Sequence, residues 1–319
     1  MKIVNPDEFE PHANRAERRP RAPEAGDGVA VREAPAKTFV GRERGTNSSR
    51  SYFRYEIGED GLHFMLSRGV RSMDHEPFTA PRHHHAFQQV RWCDSGRKNF
   101  APGQYIEPGD VAYFPKGAYY GPEYKQGHSG FATQFGFGDE YQVGPEWQPY
   151  IRQARANLIS KGTTEGGMYT WVDPDSGETR QMETIEAAYA EACRLRGWPP
   201  YRIPDAGYEA PILIHPRSFD YYERSAGVEL KPLGSFYSQP GPDGDLRLGM
   251  CRLSEGGTFE LNRDRAVIVI TTTAGLHVDG QGEATYPVHT AAYSPLGEAD
   301  AISGEPGTEA YIVEYPRRG

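Results

Sequence analysis

From residue 51 onward the apolar positions fall in short runs, YFRYEI, LHFMLS, AFQQVRW, DVAYFP and FATQFGF, rich in Tyr, Phe and Val and bounded by Gly, Pro, Asp or Ser. Runs of this length and spacing predict antiparallel strands that close into a sandwich or barrel. The pattern then changes. PEWQPYIRQARANLISKG and ETIEAAYAEACRLRG repeat Ala, Leu and Ile at three- and four-residue intervals and each stops at a glycine. That predicts two helices, with the segment YTWVDPDSGET between them as a hairpin-like turn. A proline-rich stretch, WPPYRIPDAGYEAPILIHP, leads out as an extended connector. From about Gly227 the strand pattern returns in LGSFYS, LRLGMCRL, TFELN, AVIVITTTAG, AAYSP and EAYIVEY. Two β segments around a helical insert suggest an internal duplication.

The expected organisation is therefore an irregular arm over residues 1–50, a first β domain over 51–138, a helical insert and connector over 139–226, and a second β domain over 227–319. The arm carries Arg15, Arg18, Arg19 and Arg21 without a sustained apolar period, the text of a solvated segment. The 37 glycines and 26 prolines among 319 residues agree with a turn-rich, mainly β chain. A net charge of -9 with a pI near 5.6 removes any global attraction to nucleic acid or an anionic membrane. The expected partners are a small-molecule substrate or other subunits, a homodimer among them. Cys93, Cys193 and Cys251 are odd in number and lack CxxC spacing, which argues against a disulfide scaffold or a cysteine zinc site. No apolar run is long enough to span a bilayer and the opening text has no secretory apolar core, so a cytoplasmic location is expected.

The chemistry concentrates at R-H-H-H-A-F-Q-Q-V-R-W-C-D-S-G, residues 82 to 96. Read as a strand, it puts His83, His85, Phe87, Gln89 and Arg91 on one face and His84, Gln88 and Trp92 on the other. Two imidazoles two residues apart on one face can chelate a single ion, with an amide oxygen completing part of the shell. Adjacent histidines inside an aromatic-rich strand are hard to explain as bland polar surface, because imidazoles buried without partners cost free energy. Arg91 offers a planar fork suited either to a substrate carboxylate or to a structural Asp. His63 and His128 are reserve imidazoles, and Phe87, Trp92, Tyr113 and Tyr119 are candidate walls of an apolar pocket.

These residues resemble the cupin superfamily. Its first motif, G-x5-H-x-H-x3-E-x6-G, is matched by His83, His85, Gln89 in the Glu place and Gly96, with Pro77 at the opening Gly. Its second, G-x5-P-x-G-x2-H-x3-N, is matched by Gly109, Pro115 and Gly117, with Tyr120 in the His place and Tyr124 in the Asn place. The resemblance implies two double-stranded β-helix barrels, a bicupin. Laying the second half over the first puts Asn262, Asp264 and Ile268 at the first three ligand places and Asp300 at the fourth, so the spacing survives while every imidazole is gone. The second barrel is thus expected to be structural.

By this resemblance His83, His85 and Gln89 are the expected metal ligands and Tyr120 an expected catalytic side chain; Arg91, from its place on the same strand face, is the other. The expected cofactor is a divalent transition metal, iron first, with manganese, nickel or zinc as alternatives. Gln89 brings no charge to the ion. Tyr120 binds metal only as a phenolate, so a hydrogen-bonding role towards a bound oxygen species or substrate ranks ahead of ligation. The implied function is a non-haem iron oxygenase acting on a small aromatic or carboxylated compound. A metal-dependent isomerase, cyclase or lyase that does not use O2, and a non-enzymatic binding protein, are the alternatives.

Overall fold

The computed structural model describes residues 1–4, 36–39, 47–58, 60–71, 78–125, 127–138, 147–280 and 284–318. The Arg15, Arg18, Arg19 and Arg21 cluster and Pro77 lie outside them. The described residues form a bicupin architecture built on two seven-stranded antiparallel sheets. The first runs in the order Ile212–Ile214, Val111–Phe114, Gln88–Trp92, His128–Phe137, Leu62–Arg71, Asn47–Ile57, Ala36–Phe39. The second runs Lys2–Val4, Ala291–Ser294, Val267–Thr271, Thr308–Glu314, Asp245–Leu253, Val228–Tyr237, Tyr222–Ser225. Smaller sheets accompany them, including Phe78–Ala80 with Glu123–Lys125 in the first half and Thr258–Glu260, Ala301–Gly304 and Leu276–Val278 in the second.

The two large sheets share one core. Strand alternation sends Leu62, Phe64, Leu66, Val90, Trp92 and Phe135 of the first onto Leu248, Ile268, Ile270, Tyr293 and Val313 of the second. Phe64 sits 4.7 Å from the Tyr293 ring and 5.3 Å from Tyr315. Opposite faces of the same strands line the two barrel interiors, which differ sharply. In the second barrel that interior is Val267, Val269, Leu276, Val278, Ala292, Ile302 and Ile312. In the first it includes Phe100, Ala112, Phe114 and Tyr120, together with buried Gln89, Arg91 and Glu123.

The register makes the duplication explicit and corrects the sequence overlay by one residue. Gln89 pairs with Phe114 and Gln134 as Val267 pairs with Ser294 and Glu314. The Gly117 amide donates to the His85 carbonyl (2.8 Å) as that of Gly297 donates to Arg263 (2.7 Å). The His83 amide donates to the Tyr120 carbonyl (2.9 Å) as that of Leu261 donates to Asp300 (2.9 Å). The second barrel's counterparts of His83, His85 and Gln89 are therefore Leu261, Arg263 and Val267. Asn262, Asp264 and Ile268, the expected matches, lie one place on, and Ile268 faces the inter-sheet core. Asp300 does correspond to Tyr120; it accepts from Ser294 Oγ (2.6 Å) and the N-terminal amine (3.3 Å).

Some connections cross the expected boundaries. Within the segment read as an arm, Lys2–Val4 forms the edge of the second barrel's sheet, while Ala36–Phe39 joins the first. From the connector, Ile212–Ile214 pairs with Val111–Phe114. The insert contains helices α1 (Gln148–Lys161) and α2 (Thr184–Arg196). Glu183 caps α2 by accepting from the Ile185 and Glu186 amides, and Gly197 ends it in the left-handed region. The turn expected between the helices is a full hairpin, Met168–Val172 with Thr179–Glu183, extended by Gly162–Glu165 into a three-stranded sheet. None of the described helices is long and apolar enough to cross a membrane.

Candidate metal centre

The strand that carries Gln89 and Arg91 begins only at Gln88, so His83 and His85 reach the site from the extended segment before it, where His83 forms an isolated bridge with Tyr120. The rings are nonetheless neighbours. His83 and His85 stand 5.0 Å apart between centroids at 76°, and Tyr120 lies 4.3 Å from His83 and 6.0 Å from His85. Phe87 stacks on His85 at 4.4 Å. His83 Nδ1 donates to the Pro81 carbonyl at 2.7 Å, which puts a proton on Nδ1 and orients the ring. His85 Nδ1 is buried with no hydrogen-bond partner. Burial first, then the neighbouring His83 and Arg91, hold the His85 pKa well below the usual histidine value, so the ring is neutral at neutral pH.

Arg91 organises the rest. Its guanidinium pairs with buried Glu123 and stacks 4.2 Å over Phe114. It donates to Gln89 Oε1 through Nε (3.2 Å) and Nη2 (3.0 Å), and Nη2 also reaches the Tyr120 hydroxyl at 3.2 Å. Since a guanidinium only donates, Gln89 must turn its oxygen to Arg91 and its amide nitrogen to Tyr120, where Nε2 donates to the hydroxyl at 2.8 Å. Gln134 Nε2 adds a third donor to Gln89 Oε1 at 3.3 Å. Burial works against the charge on Arg91, but Glu123 and Tyr120 outweigh it and keep the group charged. Burial likewise raises Tyr120 above the ordinary phenol range despite the pull of Arg91, so it is a phenol at neutral pH. With two donors on its oxygen and no acceptor among the described residues for its own proton, Tyr120 has an O–H left to give.

The five residues singled out in the sequence thus meet, but in altered roles. His83 and His85 lie side by side, their ring centroids 5.0 Å apart. Gln89 does not offer its oxygen to an ion, because three N–H donors occupy it. Arg91 has its acid in Glu123 and holds no free fork for a substrate carboxylate. His128 opens a strand rather than a loop, paired with Arg71 at the end of that strand about 20 Å from Gln134. His63 shares the Met65 face of its strand, one step past the Gln134 pairing. Of the four expected wall aromatics only Phe87 touches the pair: Trp92 and Tyr113 belong to the inter-sheet core, and Tyr119 stacks on His84 (3.9 Å). Glu123 escaped the sequence reading. The signal was indirect: a buried arginine requires an acid, and Y-G-P-E supplies one beside Tyr120.

Two imidazoles bound to one ion in adjacent positions, with metal–nitrogen distances of about 2.1 Å, bring their ring centroids to roughly 4.5–5 Å. The observed 5.0 Å spacing and the orphaned nitrogen of His85 fit a divalent ion held at two points. Among the described residues no cluster of three His, Cys, Asp or Glu side chains is spaced to hold one. Among the described residues the candidate donors at this place are thus the two imidazoles.

Fold and site together define a bicupin with one polar and one apolar barrel. No protein-family model matches the chain, and no curated protein does. Solved structures similar to it include protein Ylba from E. coli (10% identity, covering 89% of this chain and 88% of that one, TM-score 0.47). Others are oxalate decarboxylase from Bacillus subtilis (12%, 91% and 78%, TM-score 0.44) and quercetin 2,3-dioxygenase from Acinetobacter baumannii (12%, 85% and 74%, TM-score 0.41).

Proposed function

We propose that the first barrel is a metal-dependent small-molecule enzyme, a non-haem oxygenase for small aromatic or oxygen-bearing substrates. The observation that carries the reading is the His83–His85 pair, two imidazoles at ligand spacing of which one has a buried nitrogen without a partner. When bound, a divalent ion supplies Lewis acidity and, if redox-active like iron, a means of activating O2. The chain's own residues do the rest. Tyr120 presents its O–H to an oxygen of the bound ligand, while Gln89 and Arg91 hold the hydroxyl and Glu123 neutralises Arg91. Phe87 and Tyr189, whose ring stands edge-on to His85 at 6.5 Å, supply apolar surface around the imidazole.

Substrate-dependent O2 uptake by iron-loaded protein, over a panel of small phenols and aromatic acids, tests the proposal. Uptake that disappears in the His83→Ala/His85→Ala variant is the expected result. Full turnover without O2 would move the function to Lewis-acid chemistry, and metal-independent binding of the same compounds would make this a binding protein.

A further inference from the structure

Outside the barrel, the insert reaches the ligand loop at one point. The turn between Gly162–Glu165 and Met168–Val172 places Gly167, at φ +87°, flat against Pro81. A Cβ built there would fall well inside contact with the Pro81 Cβ and 3.0 Å from its Cγ. Two donors from the first residue of α2 hold Gly167 in place, the Thr184 amide (2.9 Å) and the Thr184 hydroxyl (2.8 Å), both on the Gly167 carbonyl. Pro81 in turn offers its carbonyl to His83 Nδ1 at 2.7 Å. The chain of contact runs from the start of α2 through Gly167 and Pro81 to the imidazole. On the same side, His84 Nε2 lies 3.8 Å from Glu186 of α2, and the Tyr201 hydroxyl accepts from the Ala86 amide at 3.3 Å.

We infer that the insert is a clamp for the metal centre, with Gly167 and Thr184 as positioning residues that press Pro81 into the place from which its carbonyl orients His83. The inference rests on the proposed metal-binding role of His83. A partner that orients a ligating histidine is worth roughly 10- to 100-fold in metal affinity. An insert that served only stability would not act on one imidazole.

The neighbouring Gly166 provides the control. It also has positive φ (+56°), but a Cβ there meets nothing within 4 Å. Gly166→Ala and Gly167→Ala both put a Cβ at positive φ in one turn, Gly167 farther from the left-handed well, and only Gly167→Ala meets Pro81, so Thr184→Val, which adds no backbone strain, is read beside them. Two readouts on the full-length protein separate the possibilities. Long-range proton–nitrogen NMR of the metal-free protein follows the His83 ring, and Co2+ titration follows affinity. Gly167→Ala should shift the His83 ring resonances and weaken Co2+ binding about tenfold or more, while Gly166→Ala leaves both at wild type. Thr184→Val, which removes one of the two donors without entering the turn, should give a smaller change of the same kind and serves if Gly167→Ala does not fold. Identical His83 spectra and Co2+ affinities across these variants would overturn the clamp. Wild-type protein that binds no Co2+ would sink the metal reading, whatever the His83 spectra show.

Discussion

Where the first barrel holds Gln89 the second holds Val267, and where the first holds Arg91 the second holds Val269. All four side chains are buried, the valines completely and the polar pair to 2% and 7% exposure. The same backbone frame is thus filled in two ways. Valines lose nothing on leaving water. Arg91 must recover its hydration from Glu123, Gln89 and Tyr120, and Gln89 must spend its whole oxygen on Arg91 and Gln134. A barrel of this fold does not need charge in its interior, as the second half demonstrates. The polar network of the first half is therefore not a requirement of the fold, and it surrounds buried Tyr120 beside the two imidazoles.

The difference can be broken from either side. The largest effect is expected from moving the charge across: Val269→Arg buries a guanidinium among Val267, Ala292 and Ile312 with no acid in register, and should cost more than about 5 kcal/mol. Loss of the cooperative urea transition would show it, and a folded variant would mean that the second interior is wetter than its packing indicates. Next, Arg91→Met removes the guanidinium that pairs with buried Glu123 and should cost about 3–5 kcal/mol, whereas Arg91→Met with Glu123→Leu should recover most of that because both charges leave together. A double-mutant cycle reads the coupling directly.

The second barrel keeps its charge cluster near a strand end, where buried Arg265 meets Asp245 and Asp243. Burial alone would raise the pKa of Asp245, but hydrogen bonds from Ser235, Arg247 and Arg265 hold it well below the usual carboxylate range. A depressed folded-state pKa stabilises the fold above the unfolded value, near pH 4, and the contribution fades as pH falls towards the folded value. Asp245→Asn should therefore lose about 2–3 kcal/mol at pH 7 and show a shallower loss of stability below pH 4 than wild type. Denaturant melts at the two pH values decide it. The smallest effect belongs to Tyr120→Phe, which leaves Gln89 Nε2 and Arg91 Nη2 one acceptor short and should cost about 1–2 kcal/mol. Its metal content should stay at wild type, and loss of the ion would make Tyr120 a ligand instead of a donor.

Much of this was legible in the chain. The aromatic runs gave strands because alternation with one face on a shared core leaves a period of two, as Leu62, Phe64 and Leu66 show. The helical text gave α1 and α2 with their glycine stops. The imidazoles were singled out by their two-residue spacing and Tyr120 by the motif resemblance, and the fold joins them at the bridge between His83 and Tyr120. What spacing could not convey was direction. Gln89 reads as a ligand until Arg91 is seen to take its oxygen, and Arg91 reads as a substrate anchor until Glu123 appears beside it. The overlay of the halves slipped by one residue because it followed glycines in turns, whereas register is set by strand pairing. Pro81 and Gly167 were invisible for a similar reason, since their contact sets a proline ring against a glycine distant in sequence, which no side-chain pattern marks.

Metal stoichiometry in the wild-type chain and its histidine variants tests the contrast between the barrels most directly. Equilibrium dialysis against Co2+, followed by elemental analysis, should give one ion per chain, none in His83→Ala/His85→Ala, and one again when His277 and His289 of the second half are replaced. An ion retained by the first variant, or lost only with the second, would contradict the assignment of chemistry to the polar barrel.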